Sequence, residues 1–170
     1  MHIATRRLIP AYAKARYGRE ALPNLIDAKV GVGSNETATA ELRGLLGDDF
    51  ADLARRMRPK PVSLLTYLIE TVCGPDDWVL DFFAGSGVTG QAVLEGNARA
   101  GIRRRFILVQ SPQPTGRADC PTIAEIARRR LAAVVARLGV DASEAGAYGL
   151  VKLEGAAEAP NRRTKSTSRR

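Results

Sequence analysis

The 170 residues, 45% of them hydrophobic and 26% charged, suit one ordinary globular domain and are too few for two full-sized ones. No apolar run approaches the roughly 20 residues that span a bilayer, and the chain does not start like a secretory signal, so we expect no membrane partner and a cytoplasmic location. The net charge of +8 favours a nucleic-acid partner, because lysine and arginine side chains neutralise phosphates.

Composition also argues against metal and histidine chemistry. Cys73 and Cys120 lie far apart without CxxC spacing, and His2 is the only histidine. A zinc site or a histidine-based triad needs more ligands than this set provides. We therefore predict no metal site and two plain cysteines, buried or half-buried and reduced.

Much of the positive charge lies in three arginine-rich clusters, at residues 103–105, 128–130 and 162–170. Such clusters form either solvated faces or contacts to a nucleic-acid backbone. The sequence leaves both interpretations open for each cluster.

The first part of the chain predicts little regular structure and then a short helix. Residues 1–32 are irregular, with prolines among short apolar stretches, and we interpret them as an N-terminal stump. Ser34 or Asn35 caps a predicted helix that runs to Leu46 and ends at Gly47.

The centre of the chain alternates between helices and strands. Pro61 opens an amphipathic helix with apolar residues at spacings of three and four, and Gly74 ends it. Residues 78–83 are rich in strand-favouring side chains and predict a buried strand, with a helix to follow at about 88–95. Residues 105–110 predict a second short apolar strand.

The last predicted elements are a helix, a strand and a tail. Pro121 opens the helix and Gly139 ends it. Its apolar stripe comprises Ile123, Ile126, Ala127, Leu131, Val134, Val135 and Leu138. Residues 148–153 predict a third strand, and residues 155–170 predict a disordered basic tail, because their composition offers little apolar surface to bury.

This order of elements predicts the α/β class. Strands alternate with helices and a glycine-rich turn follows the first strand, which is typical of a mainly parallel sheet. The predicted domain covers residues 33–154, and only part of a doubly wound sheet is present.

The informative motif lies in residues 80–90, LDFFAGSGVTG, where Gly85, Gly87 and Gly90 fit a G-x-G-x-x-G pattern between a strand and a helix. A side chain at such a turn would keep a ligand from the backbone, and the following helix presents free N–H groups. The motif predicts a nucleotide-like ligand. The alternative is a tight strand-to-helix turn and nothing more.

Two further positions bear on which nucleotide binds. A dinucleotide fold normally has an acidic residue at the end of the second strand for the ribose, and Gln110 stands there. Asp81 ends the first strand, where a carboxylate would repel a pyrophosphate but accept hydrogen bonds from an ammonium. S-adenosylmethionine has an ammonium and no phosphate, so it is the predicted cofactor. The alternative for Asp81 is a carboxylate that caps the nearby turn.

The segment DFFAGSG resembles the cofactor motif of amino-directed DNA methyltransferases, with Asp81, Phe82, Gly85 and Gly87 at its key positions. The resemblance implies a partial Rossmann-like fold of the S-adenosylmethionine-dependent methyltransferases. It also implies DNA as partner and the amino group of adenine as target. The implied cofactor-binding residues are Lys60, Pro61, Asp81, Phe82, Phe83, Ala84, Gly85, Ser86, Gly87, Thr89 and Gln110.

The resemblance extends to both sides of this motif. Lys60 and Pro61, followed by Leu64, resemble the lysine-proline helix that lines the methionine end of the cofactor in these enzymes. Further stretches resemble the modification (Mod) subunits of type III restriction-modification systems, namely residues 32–42, 104–110, 122–131 and 148–153.

In the family that the chain resembles, an Asp or Asn followed by Pro-Pro and an aromatic residue lies upstream and holds the flipped base. No such tetrapeptide occurs in these 170 residues, so we assign no catalytic residue. We expect a separate chain or a missing N-terminal segment to carry it. Two other hypotheses are a non-catalytic DNA-binding remnant of such an enzyme and an ordinary nicotinamide enzyme.

Overall fold

A computed structural model of the chain describes residues 25–139. The helices are α1 (Asn35–Leu46), α2 (Ala51–Met57), α3 (Val62–Val72), α4 (Val88–Ala100) and α5 (Ile123–Leu138), and the strands are β1 (Trp78–Asp81) and β2 (Arg105–Leu108). Short 3₁₀ turns at Ala28–Val30 and Asp48–Phe50 precede α1 and α2. The predicted third strand, the basic tail and residues 1–24 of the predicted stump lie outside the described residues.

The two strands form a parallel pair, and α4 is the crossover between them. Trp78 lies opposite Arg105, and the register continues to Asp81 opposite Leu108. Backbone bonds extend the ladder past the strand ends, with Val109 N donating to Asp81 O at 2.8 Å. The predicted α/β class with a parallel sheet is confirmed, although both strands end about two residues earlier than expected.

One face of this sheet is covered by helices. Val79 and Phe106 pack against a cluster formed by α3 and α4, while Phe106 and Leu108 pack against a second cluster formed by α4 and α5. These residues alternate along the strands with residues that point the other way, as the two-residue period of a strand requires. The core of the described domain therefore lies on a single side of the sheet.

The opposite face is bare, which corrects the prediction of a buried first strand. Trp78 is 58% exposed, Leu80 is 51% exposed, and Ile107 on the neighbouring strand is 48% exposed. The helices that contact the sheet in residues 25–139 all pack on its other face. We call the surface of Trp78, Leu80 and Ile107 the bare face.

Local capping chemistry accounts for two helices that the sequence predicted. The Ser34 hydroxyl accepts from Thr37 N at 3.4 Å, and the C-terminal end of α1 falls at Gly47 as expected. Helix α5 begins after Thr122, whose hydroxyl accepts from Glu125 N at 3.2 Å, and ends at Gly139 in the left-handed conformation. Both predicted glycine stops are confirmed.

Helix α2 was not predicted, and it packs on a third cluster beside α1 and α5. Phe50, Leu53 and Ala54 are buried there together with Cys120. The guanidinium groups of Arg117 and Arg129 lie over the Phe50 ring, 4.5 and 5.5 Å from its centroid. The contacts that stabilise this segment thus come from distant parts of the sequence.

The two cysteines are both free thiols, as predicted. Cys120 is buried and Cys73 is half-buried, and burial raises the pKa of each thiol. Thiols with a raised pKa are poor nucleophiles at neutral pH. In the described range, residues 25–139, every helix is too short or too polar to cross a bilayer.

Candidate cofactor-binding site

The glycine turn, residues 84–87, joins β1 to α4 at the carboxyl end of the sheet. Gly85 and Gly87 both adopt left-handed backbone conformations, with φ of 53° and 80°. Such values favour glycine strongly over any residue with a Cβ atom. The amide of Gly87 donates to Ala84 O at 2.7 Å, which closes the turn.

The three glycines of the motif serve different purposes. A Cβ atom at Gly87 would lie 3.1 Å from Ala127 Cα, and one at Gly90 would lie 2.7 Å from Leu131 Cδ2. Both glycines therefore allow α5 to pack closely against the turn and α4. A Cβ atom at Gly85 would meet nothing closer than the Phe83 carbonyl oxygen at 3.8 Å. Of the three, Gly85 alone has the open space that the sequence argument assigned to a ligand.

Asp81 lies at the end of β1, with both carboxylate oxygens turned toward the turn and α4. Oδ1 accepts from Phe83 N at 2.9 Å, and Oδ2 accepts from the Thr89 hydroxyl at 2.6 Å. These are the contacts expected of a carboxylate that caps the turn. They use about two of the four acceptor positions of a carboxylate, so this half-buried group keeps acceptors for a ligand.

Gln110, which follows β2, stabilises the glycine turn. Its Oε1 accepts from Gly85 N at 2.7 Å, and its Nε2 donates to Ser111 O at 3.1 Å. The carboxyl ends of parallel strands meet at one edge of the sheet, which brings Gln110 and Gly85 together although 25 residues separate them.

Ser86 is buried under the turn. It contacts residues that were not predicted from the sequence to support the site. Its hydroxyl accepts from Arg130 Nη1 at 2.9 Å, and Arg130 Nε donates to Gln91 Oε1 at 2.5 Å. Arg130 was interpreted as part of a basic cluster. Its position gave the signal, because it lies three residues after Ala127 and four before Val134, on the apolar stripe of α5.

The remaining predicted site residues lie around this centre. Phe82 and Phe83 are exposed, Phe83 to 91%, whereas Ala84 is buried. Lys60 is exposed, and Pro61 is buried at the start of α3. The neighbouring Val62 shares a core cluster with Val88 at the start of α4. No hydrogen bond in residues 25–139 joins Lys60 or Pro61 to the glycine turn.

The arginine clusters are largely occupied within the fold. In the first cluster, Arg104 is buried and donates from Nη2 to Cys73 O at 3.1 Å and from Nε to Gly74 O at 3.3 Å. The guanidinium of Arg105 lies over the Trp78 ring. Both side chains therefore have contacts within the fold. This structural role is a third interpretation of the first cluster, beside a solvated face and a contact to a nucleic-acid backbone.

The second cluster, residues 128–130, is also engaged internally. Hydrogen bonds from Arg128 and Arg129 lower the pKa of Glu125 to about 2. Arg130 is fully buried. The third cluster, residues 162–170, lies outside the described residues. In the range that the structure covers, no group of three or more His, Cys, Asp or Glu side chains could hold a metal ion.

One family of known proteins matches the centre of the chain. A family model described as DNA methylase matches residues 46–113, a segment that contains α3, β1, the glycine turn, α4, β2 and Gln110. Over this segment the chain is similar to DNA methylases.

Comparison with individual proteins shows more specifically what the chain is similar to. The Mod subunit of the type III restriction-modification enzyme StyLTI from Salmonella typhimurium is 38% identical over 113 residues, which are 63% of this chain and 17% of the relative. The EcoPI Mod subunit of Escherichia phage P1 is 42% identical over 80 residues, 47% of this chain and 12% of the relative. The predicted resemblance to type III Mod subunits is confirmed.

A methyltransferase outside the type III group is similar as well. The type II methyltransferase M.KpnI of Klebsiella pneumoniae is 35% identical over 79 residues, which are 46% of this chain and 18% of the relative. The chain thus spans less than a fifth of the length of each of these three relatives.

Proposed function

We propose that this chain is the S-adenosylmethionine-binding part of a DNA methyltransferase that modifies the exocyclic amino group of adenine. The domain would form part of a Rossmann-like methyltransferase fold. One observation carries the proposal: the Asp81 carboxylate ends β1 directly before the open turn at Gly85, on the segment that matches the DNA methylase family. A methylase needs a methyl donor, and S-adenosylmethionine fits this pair of features.

The chemistry of the turn favours this cofactor over a dinucleotide. An ionised carboxylate beside the turn repels a pyrophosphate and attracts an ammonium. Gln110 follows the second strand, and its amide bonds to Gly85 N and Ser111 O, so no acidic group stands there for a ribose. The nicotinamide alternative is correspondingly weakened.

Each residue has a distinct proposed role. Asp81 accepts hydrogen bonds from the cofactor ammonium through the acceptor positions that Phe83 N and Thr89 leave free. Gly85 gives the ligand room, and Gln110 holds the turn in place. The exposed ring of Phe83 offers a surface on which a purine can stack. When bound, the cofactor supplies a methyl group on a sulfonium.

The residues that contact the target base would come from elsewhere. No Asp-Pro-Pro-aromatic or Asn-Pro-Pro-aromatic tetrapeptide occurs in the 170 residues. We propose that a further polypeptide, either a separate chain or an N-terminal segment, carries this motif and the DNA-recognition region. The bare face supports this, because an exposed apolar sheet face of this kind marks a surface that another layer covers.

The DNA-binding remnant remains the second hypothesis, but the described residues favour it less. Arg104 and Arg130 are buried, and Arg128 and Arg129 pair with Glu125, so these arginines are poorly placed to release counterions from DNA. A remnant would bind DNA in a salt-dependent way whether or not Asp81 is intact.

The cofactor proposal is tested by Asp81→Asn. Asparagine keeps an oxygen for Phe83 N and a polar partner for Thr89, so the turn should persist while the negative charge is lost. We expect S-adenosylmethionine affinity to fall by roughly tenfold or more, the value of one charge-assisted hydrogen bond. Isothermal titration calorimetry on both proteins gives the comparison.

Asp77→Asn is the matched control. Asp77 also caps a turn, accepting from Gly74 N at 2.7 Å, but it precedes β1 at the other end of the strand. Replacement of Asp77 should change the cofactor affinity by less than about twofold, because only the hydrogen bond to Gly74 N is affected. Unchanged affinity in Asp81→Asn would leave Asp81 as a turn cap and contradict the proposed role.

A further inference from the structure

Arg130 is a buried cation that forms no ion pair at contact distance within residues 25–139. The side chain is fully buried, and none of the ion pairs within residues 25–139 includes it. Its Nη1 and Nε donate to the neutral side chains of Ser86 and Gln91. Its Nη2 is the one buried side-chain nitrogen or oxygen in that range that lacks a hydrogen-bond partner. A buried charge of this kind needs an explanation, because burial without a counter-charge is costly.

The position of Arg130 relates it to the glycine turn. Ser86 belongs to the turn, and Gln91 lies in the first helical turn of α4. One turn earlier on α5, Ala127 packs so closely on Gly87 that a Cβ atom there would lie only 3.1 Å from Ala127 Cα. Helix α5 therefore holds the turn at two points, by packing at Ala127 and by a hydrogen bond at Arg130.

Arg130 places a positive charge beside the glycine turn. Burial lowers the pKa of Arg130 to about 10, which leaves the group protonated at neutral pH. The carboxylates of Glu41 and Glu95 oppose this lowering, and Gln91 Nε2, which donates to Glu95 Oε1 at 2.7 Å, joins Glu95 to the same hydrogen-bond network. The free N–H groups at the start of α4 add the positive end of the helix dipole. The dipole favours an anionic group at the start of α4, and Arg130 supports that end of the turn through its hydrogen bond to Ser86.

The proposed cofactor carries such a group. In an amino acid, the ammonium and the carboxylate are attached to the same carbon. An ammonium bound at Asp81 therefore brings its carboxylate next to the first turn of α4, because the Thr89 hydroxyl of that turn bonds to Asp81 at 2.6 Å. The carboxylate then lies on the side of the site that Ser86 and Arg130 support.

We propose that Arg130 is a positioning residue for the amino-acid end of the cofactor: it holds Ser86 and the glycine turn in place beside the site of the carboxylate. It acts through the turn and makes no direct contact with a reacting atom. This inference rests on the proposed function, because the anionic group belongs to the proposed cofactor.

The test compares two ligands that differ at the amino-acid end. S-adenosylhomocysteine has the carboxylate and ammonium, whereas 5′-methylthioadenosine keeps the adenosine and sulfur and lacks both. Calorimetry on the full chain would measure both affinities in wild type and in Arg130→Met. We expect S-adenosylhomocysteine to bind roughly tenfold or more weakly in the variant, and 5′-methylthioadenosine to change by less than about threefold.

Arg104→Met is the matched control. Arg104 is also a buried arginine, but it donates to the backbone carbonyls of Cys73 and Gly74, before β1 and away from the glycine turn. Loss of this arginine should change the melting temperature without changing the ratio of the two affinities. Arg130→Lys, which keeps the charge, should recover part of the S-adenosylhomocysteine affinity.

The outcomes separate this inference from the proposed function. Binding of neither ligand by folded wild-type protein overturns the proposed function and this inference with it. Wild-type binding combined with equal weakening of both ligands in Arg130→Met overturns this inference alone. If Arg130→Met does not fold, Ser86→Ala gives the same test, and an unchanged affinity ratio in that variant is the contradicting result.

Discussion

The two faces of the β1–β2 sheet differ in what covers them. On one face, Val79, Phe106 and Leu108 pack against α3, α4 and α5. On the other, Trp78, Leu80 and Ile107 are about half exposed or more. The helices on the covered face also contact the glycine turn. The contacts that hold the candidate cofactor site in place therefore lie within residues 25–139. In the proposed function, the further polypeptide covers the bare face.

The largest expected effect breaks the covered face at Gly90. Leucine there would collide with Leu131, Leu108 and Phe106, whose atoms already lie 2.7–3.2 Å from a Cβ position. We expect Gly90→Leu to lower the free energy of unfolding by roughly 2–3 kcal/mol. Urea denaturation followed by circular dichroism measures the change.

Gly44 provides the control for that substitution. It lies in α1, and a Cβ atom there would meet nothing within 4 Å. Leucine favours a helix more than glycine does, so Gly44→Leu should stabilise the protein by up to about 1 kcal/mol. Equal effects of the two substitutions would contradict the close packing of α5 on α4.

The next comparison concerns neighbours on β2 that point to opposite faces. Phe106 packs against two core clusters, and we expect Phe106→Ala to cost roughly 2–3 kcal/mol of unfolding free energy. Ile107 faces the bare side at 48% exposure, so Ile107→Ala should cost under about 1 kcal/mol. The same denaturation measurement applies to both. Similar losses would mean that the bare face is covered in the free chain.

The smallest expected change concerns Trp78, which is the only tryptophan in the chain. Because it is 58% exposed, acrylamide should quench its fluorescence readily. Addition of a tryptophan-free upstream polypeptide of the type III Mod kind should reduce this quenching. Unchanged quenching in a mixture that has formed a complex would exclude the bare face as the surface that the partner covers.

The sequence predicted best those features that depend on neighbouring residues. Helix α1 lies between its capping residues Ser34 and Gly47, which form local hydrogen bonds, and α5 ends at Gly139 in a left-handed conformation. The glycine turn was predictable for the same reason, since Gly85 and Gly87 adopt backbone conformations that few other residues tolerate.

Features that depend on distant residues were missed. Helix α2 has only seven residues, and its burial depends on contacts with α1 and α5 across the fold. The first strand was predicted to be buried because it is apolar, but burial requires a layer on each face. Arg130 was interpreted by its charge, although its place on the apolar stripe of α5 decides its role.

The most direct test of the central claim is a calorimetric titration of the wild-type chain with S-adenosylmethionine and, separately, with NAD. We expect saturable binding of S-adenosylmethionine and no binding of NAD, because a carboxylate at the turn accepts an ammonium and repels a pyrophosphate. Binding of NAD, or of neither ligand by folded protein, would contradict it.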